Sequence, residues 1–375
     1  MMQPRDVKTV EQAKRIVEER GLTHIKVGLF DVDGVMRGKY MSKDKFFSSL
    51  DHGFGFCDVV LGWDSKDQLY DNVSYTGWHT GYPDAPVRII PESCRDLPFE
   101  NDMLLFIAEF TDQAAEVCPR NLLKHVIQRA HEMGFDVHAA LEYEFFVFQE
   151  TPHSAREKGF RNLVPLSPDW FGYSVLRNSV HADLYQQILD MAERMDFPIE
   201  GIHTETGPGV LEAAIAVDCV SNAADKAALF KTFMKVLAER NGLMATFMAK
   251  WSNDYPGQSG HIHISLTHRD STESAFYDPD QPHGMSLIQR QFLAGQQRLM
   301  PEFLSLIAPT VNSYSRLVPG FWAPTDATWG IDNRTTALRV IPGNAKSQRI
   351  EYRLGSADGN PYLTLAAAIA SGLYG

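Results

Sequence analysis

A chain of 375 residues that is 44% hydrophobic and 22% charged can bury a large core, which excludes a disordered protein, and its length sits more comfortably as two domains than as one. A net charge of -12 argues against the basic footprint of a nucleic-acid-binding surface. The four cysteines, Cys57, Cys94, Cys118 and Cys219, form no CxxC pair, which excludes a zinc knuckle or a redox dithiol and fits a reducing cytoplasm. The N-terminus lacks the apolar core of a signal peptide, and the longest weakly polar run, Tyr362 to Tyr374, falls short of the ~20 residues that span a bilayer, so a cytoplasmic protein with no membrane partner is expected.

Residues Val10 to Glu19 predict a short amphipathic helix stopped by Gly21. Two strand-like runs follow, His24 to Phe30 and Val35 to Tyr40, joined at Asp33-Gly34, a dipeptide suited to a tight turn. The stretch Phe30-Asp31-Val32-Asp33-Gly34 resembles the nucleophile motif of haloacid-dehalogenase-type phosphatases, but the downstream Lys and paired Asp that would complete such a site are not evident. The run Val59 to Asp64, ending in Trp63-Asp64, reads as a strand terminus closed by a turn. With further strands at Asp84 to Pro91 and Met103 to Phe110, these elements predict a small sheet-rich domain over residues 1–110, leaving 111–375 as a larger second domain.

The second part opens with a helix from Asn121 to Met133 and then the strand Ala140 to Phe148, which carries Glu142 and Glu144. Alternate residues of a strand share a face, so the two carboxylates stand side by side; hard oxygen ligands on a rigid strand suit Mg²⁺ or Mn²⁺, although a solvated face would carry the same pattern. After a helix from His181 to Met195, Thr206-Gly207-Pro208-Gly209 is turn chemistry that would set Glu205 and Glu212 on the two arms of a hairpin, facing each other. A helix from Ala223 to Asn241 leads to Gly260-His261-Ile262-His263-Ile264-Ser265, where His261, His263 and Ser265 share a face and Gly260 allows close approach to the backbone. An HxH pair is a zinc signal, but carboxylate companions favour a harder ion, and two satisfied strand histidines remain an alternative. Downstream, Arg316, Arg334, Arg339, Lys346, Arg349 and Arg353 accompany Glu351, a set of cations suited to nucleotide phosphates and a carboxylate substrate.

These blocks resemble the glutamine synthetase superfamily in order and over nearly the whole chain: Glu142-Tyr-Glu-Phe-Phe146, Glu205-x-Gly-Pro-Gly-x-x-Glu212, Gly260-His-Ile-His-Ile-Ser265, Asn312 to Gly320, Asn333 to Arg339, Lys346 to Arg353 and Asp358-Gly-Asn-Pro-Tyr362. The resemblance implies an α+β protein with a small N-terminal β-grasp domain and a larger catalytic domain whose curved antiparallel sheet is flanked by helices. It implies a homo-oligomeric ring of six, or a double ring of twelve, with active sites between neighbouring subunits. It implies ATP and at least two Mg²⁺ or Mn²⁺ ions, one held by Glu144, Glu205 and Glu212 and the other by Glu142, His261 and Glu351. Arg334, Arg339, Arg349 and Lys346 would grip ATP phosphates, with His263 and Ser265 near the nucleotide, and Arg316 and Arg353 would bind the glutamate carboxylates under a loop containing Gly257. The implied reaction forms γ-glutamyl phosphate from ATP and glutamate, and an amine then attacks it.

One departure bears on that amine. Ammonia-using members carry a Glu just after the Pro-Gly-aromatic segment, where this chain has Trp322. An indole cannot accept a proton, but it can stack on an aromatic amine or face a cationic one. The Gly-Pro-Gly hairpin and the Trp-Ala-Pro segment are more similar to γ-glutamyl-amine ligases acting on polyamines or alkylamines. Asp64 is matched to an ammonium-site Asp supplied by the neighbouring subunit, with Trp63 beside it among the substrate-binding residues. The expectation is a ligase for an amine bulkier than ammonia, with glutamine synthetase itself or a non-catalytic ring-forming relative as alternatives. Relatives in this family continue beyond the position of Gly375, so the second domain reads as shortened at its C-terminal end.

Overall fold

The computed structural model describes residues 2–375, which divide into two compact units: residues 2–123 together with Asp190–Pro198, and Lys124–Leu189 together with Ile199–Gly375.

The first unit holds six strands, β1 (His24–Phe30), β2 (Met36–Ser42), β3 (Phe54–Cys57), β4 (Asp84–Ile89), β5 (Arg95–Asp96) and β6 (Leu104–Phe110). They form one mixed sheet in the order β2-β1-β6-β4-β3, with β5 also paired to β6; β1 and β6 run parallel and the other pairs antiparallel. The helix Val10–Glu19 starts at Thr9, whose side chain and that of Gln12 form a reciprocal cap, and it buries Ala13, Ile16 and Val17. A second helix, Lys43–His52, contacts β1, β2 and β4, and its Phe46 ring packs on Phe106 with centroids 4.9 Å apart. The β1–β2 connection turns at Asp31–Gly34, where Gly34 has φ 79°.

The segment expected to end a strand at Trp63-Asp64 differs. Asp58–Leu61 form a 3-10 turn, because Asp58 is buried and accepts a hydrogen bond from Thr76 Oγ1 at 2.7 Å. Trp63 then makes an isolated bridge to Leu69.

The second unit contributes β7 (Phe135–Phe148), β8 (Ile199–Thr204), β9 (Val210–Ile215), β10 (Asp218–Cys219), β11 (Met244–Thr246), β12 (Gly260–His268), β13 (Trp329–Ile331), β14 (Leu338–Ile341) and β15 (Arg349–Tyr352). Their sheet runs β13-β14-β15-β12-β7-β9-β8, while β10 and β11 pair with opposite ends of β7. Every pair is antiparallel except the edge, where β13 lies parallel to β14, so the sheet departs from the wholly antiparallel expectation there.

Strand β7 organises this unit through its alternation. Its odd-numbered residues Tyr143 and Phe145 meet Phe230 of the helix Val220–Arg240, with centroids 6.3 and 5.8 Å away, and that helix buries thirteen residues. Of the even-numbered residues, Phe146 and Phe148 join Trp251 in an aromatic cluster, with centroids 5.5 and 4.9 Å from the indole. Glu142 and Glu144 share that even parity, so helix packing on one face leaves the other to the acids.

A candidate metal and nucleotide site

Antiparallel register assembles the charged residues into one ladder. Glu142 of β7 stands opposite His261 of β12, and Glu144 stands opposite Glu212 of β9. His263 of β12 pairs with Glu351 of β15, which pairs in turn with Arg339 of β14. Directly opposed residues project to the same side of a sheet, so acids from β7, β9 and β15 and histidines from β12 converge. A cavity of about 330 Å³ is lined by Glu142, Glu144, Glu205, Glu212, His261 and Glu351.

The hairpin expectation for Glu205 and Glu212 needs correcting in its register. Glu212 stands opposite His203, whereas Glu205 lies in the turn beyond β8, its N–H donating to the Val210 carbonyl at 3.0 Å. Both still reach the cavity.

Ligand atoms of Glu142, Glu212 and His261 lie within 4.8 Å of one another, as do those of Glu142, His263 and Glu351, and of His203, Glu205 and Glu212. Glu144 belongs to none of these close groups; its Oε2 accepts from the Ser259 N–H at 2.6 Å.

This concentration of carboxylates is electrostatically incomplete without cations. Burial raises the Glu212 pKa, and Glu144, Glu142 and Glu205 raise it further. Burial works the same way on Glu142 and Glu351, but histidines outweigh it. His263 and His261 hold Glu142 well below the usual carboxylate range, and His261, Arg353 and His263 hold Glu351 down to about 2. Two like charges 4 Å apart cost about 4 kcal/mol at an effective dielectric of about 20. An oxygen-rich donor set under this repulsion, with two imidazoles, fits Mg²⁺ or Mn²⁺.

The cations divide by position. Arg316 is 3% exposed, and its guanidinium donates to the Leu354 and Arg353 carbonyls at 3.0 and 3.2 Å. Burial pulls its pKa down to about 10, so an arriving carboxylate would meet a cation that gains from pairing. Arg353 donates to Glu351, and Arg339 bridges Glu351 at 2.9 Å and Asp332 at 2.5 Å. Arg316, Arg334, Arg339, Arg353 and Gly257 all line the cavity, and a Cβ at Gly257 would come within 2.5 Å of the Arg316 side chain.

Arg349, His263, Ser265 and Lys346 are not in the cavity wall. Arg349 Nε donates to His263 Nδ1 at 3.2 Å, which leaves the His263 proton on Nε2, 3.1 Å from Glu142 Oε1. Ser265 of β12 stands opposite His138 of β7, and Lys346 lies on the exposed turn Asn344–Ser347. Trp63 and Asp64 belong to the first unit. There Asp64 Oδ1 accepts the Lys66 and Gln68 N–H groups at 2.8 and 2.9 Å, and the Trp63 ring packs under the Arg37 guanidinium, 4.7 Å away.

Trp322 lines the cavity beside Phe321, is 62% exposed and sits at φ 60°, a left-handed conformation that is uncommon for a bulky residue. The neighbouring Phe321 ring is held by Lys250 Nζ, 4.6 Å from its centroid. The sequence reading missed Tyr173 and His203, whose rings stack with centroids 4.3 Å apart on the cavity wall. No spacing in the sequence marks His203; only the register of β8 against β9 sets it opposite Glu212.

Comparison with known proteins agrees with this geometry. The family description "Glutamine synthetase, catalytic domain" matches residues 116–375. "Type-1 glutamine synthetase 2" of Dictyostelium discoideum is 47% identical over 94% of this chain and 68% of its own length. "Glutamate--isopropylamine ligase" of a Pseudomonas species is 33% identical over 100% of this chain and 82% of its own. Among solved structures, one titled "GmaS/ADP complex-Conformation 1" superposes with a TM-score of 0.82 at 26% identity, covering 96% of this chain and 80% of that one. With the ladder of acids and histidines on its curled sheet, this chain belongs to the glutamine synthetase family.

Proposed function

We propose that this protein is an ATP-dependent ligase that joins the γ-carboxylate of glutamate to an amine bulkier than ammonia, by way of γ-glutamyl phosphate. The observation that carries this reading is Trp322, which lines the cavity containing the acid and histidine ladder. An indole there offers an apolar, stackable face to a substituted amine and no proton acceptor for ammonium. The name of the Pseudomonas relative, an isopropylamine ligase, supports the same class of substrate.

The residues divide the work as follows. Glu144, Glu205 and Glu212 would hold one divalent ion, and Glu142, His261 and Glu351 the other. Such ions, when bound, screen triphosphate oxygens and offset charge as the phosphoryl group moves. Arg334, Arg339, Arg349 and Lys346 would orient the phosphates, with His263 and Ser265 on the nucleotide side. Arg316 and Arg353 would take the glutamate carboxylates, with Gly257 keeping that wall thin. Arg339, which bonds Glu351 and Asp332, would also serve at the reacting centre. Asp64 and Trp63 are assigned to the amine side of a neighbouring subunit's site in a ring of six or twelve chains, which sedimentation velocity would detect. The domain division at residue 110, with 111–375 catalytic, belongs to the same reading.

Phosphate release with ATP, Mg²⁺ and glutamate, comparing ammonia with putrescine, an alkylamine and an aromatic amine, tests the proposal. Stimulation by an organic amine above that by ammonia is expected. A rate with ammonia equal to or above every organic amine would return the protein to glutamine synthesis, the reading favoured by the name of the Dictyostelium relative.

A further inference from the structure

The ladder of ligands does not stop at Glu212. The next strand, β8, places His203 directly opposite it, and Glu205 follows in the turn just beyond that strand. We propose that His203 is a further ligand, through Nε2, of the divalent ion at Glu205 and Glu212; the inference rests on the ion site proposed above.

Three observations support it. First, His203 Nδ1 lies 3.0 Å from the Thr204 carbonyl oxygen. A carbonyl only accepts, so Nδ1 carries the proton and Nε2 is left as the lone-pair nitrogen facing the acids. Ligating histidines are oriented in this way, by donating the other ring N–H to a carbonyl.

Second, Nε2 is 3.8 Å from Glu212 Oε2, and a ring nitrogen of His203 lies within 4.8 Å of the Glu205 ligand atom as well. That separation is too long for a hydrogen bond. Ligands bound at about 2.1 Å around one octahedral ion lie about 3.0 Å apart when adjacent and about 4.2 Å apart when opposite, and the observed distance falls in that interval.

Third, the ring is fixed by a supporting layer. Tyr173 stacks on it at 4.3 Å, and the Tyr173 segment is tied to the end of β8. The Tyr173 N–H donates to the Thr204 carbonyl at 2.7 Å, the Ser174 N–H donates to Thr204 Oγ1 at 2.8 Å, and Thr204 Oγ1 donates to the Phe171 carbonyl at 2.7 Å. Tyr173 holds φ 57° in that segment, a backbone state that a bulky residue keeps only when its surroundings enforce it.

An imidazole added to the three carboxylates softens the site, so His203 tilts this ion from Mg²⁺ toward Mn²⁺. The full-length chain, labelled with ¹⁵N-histidine and loaded with Mn²⁺ without substrates, provides the test by calorimetry and pulsed EPR. Wild-type protein should show imidazole nitrogen coupling at two ions, and His203→Phe should lose one of them. The same variant should weaken Mn²⁺ at one site by about 10-fold or more and change Mg²⁺ affinity less, a loss in the range that altered ligand surroundings produce. A wild-type spectrum with nitrogen coupling at one ion only would overturn the inference without any variant. Unchanged Mn²⁺ affinity and coupling in His203→Phe would overturn it too, if Glu205→Gln does weaken binding. Silence in both variants would instead remove the ion site itself.

Discussion

Each unit carries an acid-x-acid pair, Asp31 with Asp33 in the first and Glu142 with Glu144 in the second, and the two have opposite surroundings. Asp31 is fully buried, yet it is answered locally: Arg37 Nε lies at 2.8 Å, and the Val35 and Asp33 N–H groups donate at 2.8 and 3.1 Å. Asp33 accepts the Ser65 N–H at 2.7 Å. The pair closes a turn, and the phosphatase-like motif is structural. Glu142 and Glu144 instead meet further acids from β9 and β15, and their crowding raises the Glu212 pKa. A paired acid becomes a reactive site when its counter-charge must come from outside the chain.

The sharpest way to break this comparison is to remove one acid from each region. Glu351→Ala should lower ATP-dependent turnover at least ~100-fold, because an ion loses a ligand and Arg339 and Arg353 lose their shared carboxylate. Near-normal steady-state rates would refute the ion site. Mg²⁺ should raise the stability of the second unit by about 2.7 kcal/mol at a hundredfold excess over its dissociation constant, and EDTA should reverse the shift in a thermal melt. An unchanged melt would mean that the acids hold no ion.

Asp31→Asn should cost about 1 to 3 kcal/mol in urea unfolding, by weakening the Arg37 partner, and should leave turnover per folded molecule intact. Loss of turnover without loss of stability would restore a chemical role to the motif. The smallest effect expected is at Glu150. The Lys158 ammonium, the Ser154 hydroxyl and the Val164 N–H hold its pKa down to about 2. A folded pKa below the unfolded one contributes stability that is present above about pH 4.5 and lost as pH falls toward 2. Glu150→Gln should therefore flatten the acid limb of a stability profile in that window; an unaltered limb would show that the bonds to Lys158 and Ser154 do not persist in solution.

Much of the second unit was legible from sequence because its signals are local. Glu142-x-Glu144 and His261-x-His263 announce shared faces by parity alone, and Thr206 to Gly209 announces its turn by composition. What was not legible depends on distant partners. The 3-10 turn at Asp58–Leu61 is set by Thr76, the parallel edge at β13 by pairing with β14, and the offset of Glu205 by where β8 stops. His203 escaped notice because a lone histidine beside an acid carries no spacing signature until the register of β8 against β9 is known.

The ladder draws its rungs from β7, β9, β12 and β15, and the last of them, Glu351, follows Glu142 only after most of the chain has been made. On the ion site proposed above, the growing polypeptide would lack its full set of ligands until β15 has left the ribosome and joined the sheet. In that reading, nucleotide turnover would be withheld from incomplete chains, with no inhibitor needed to enforce it.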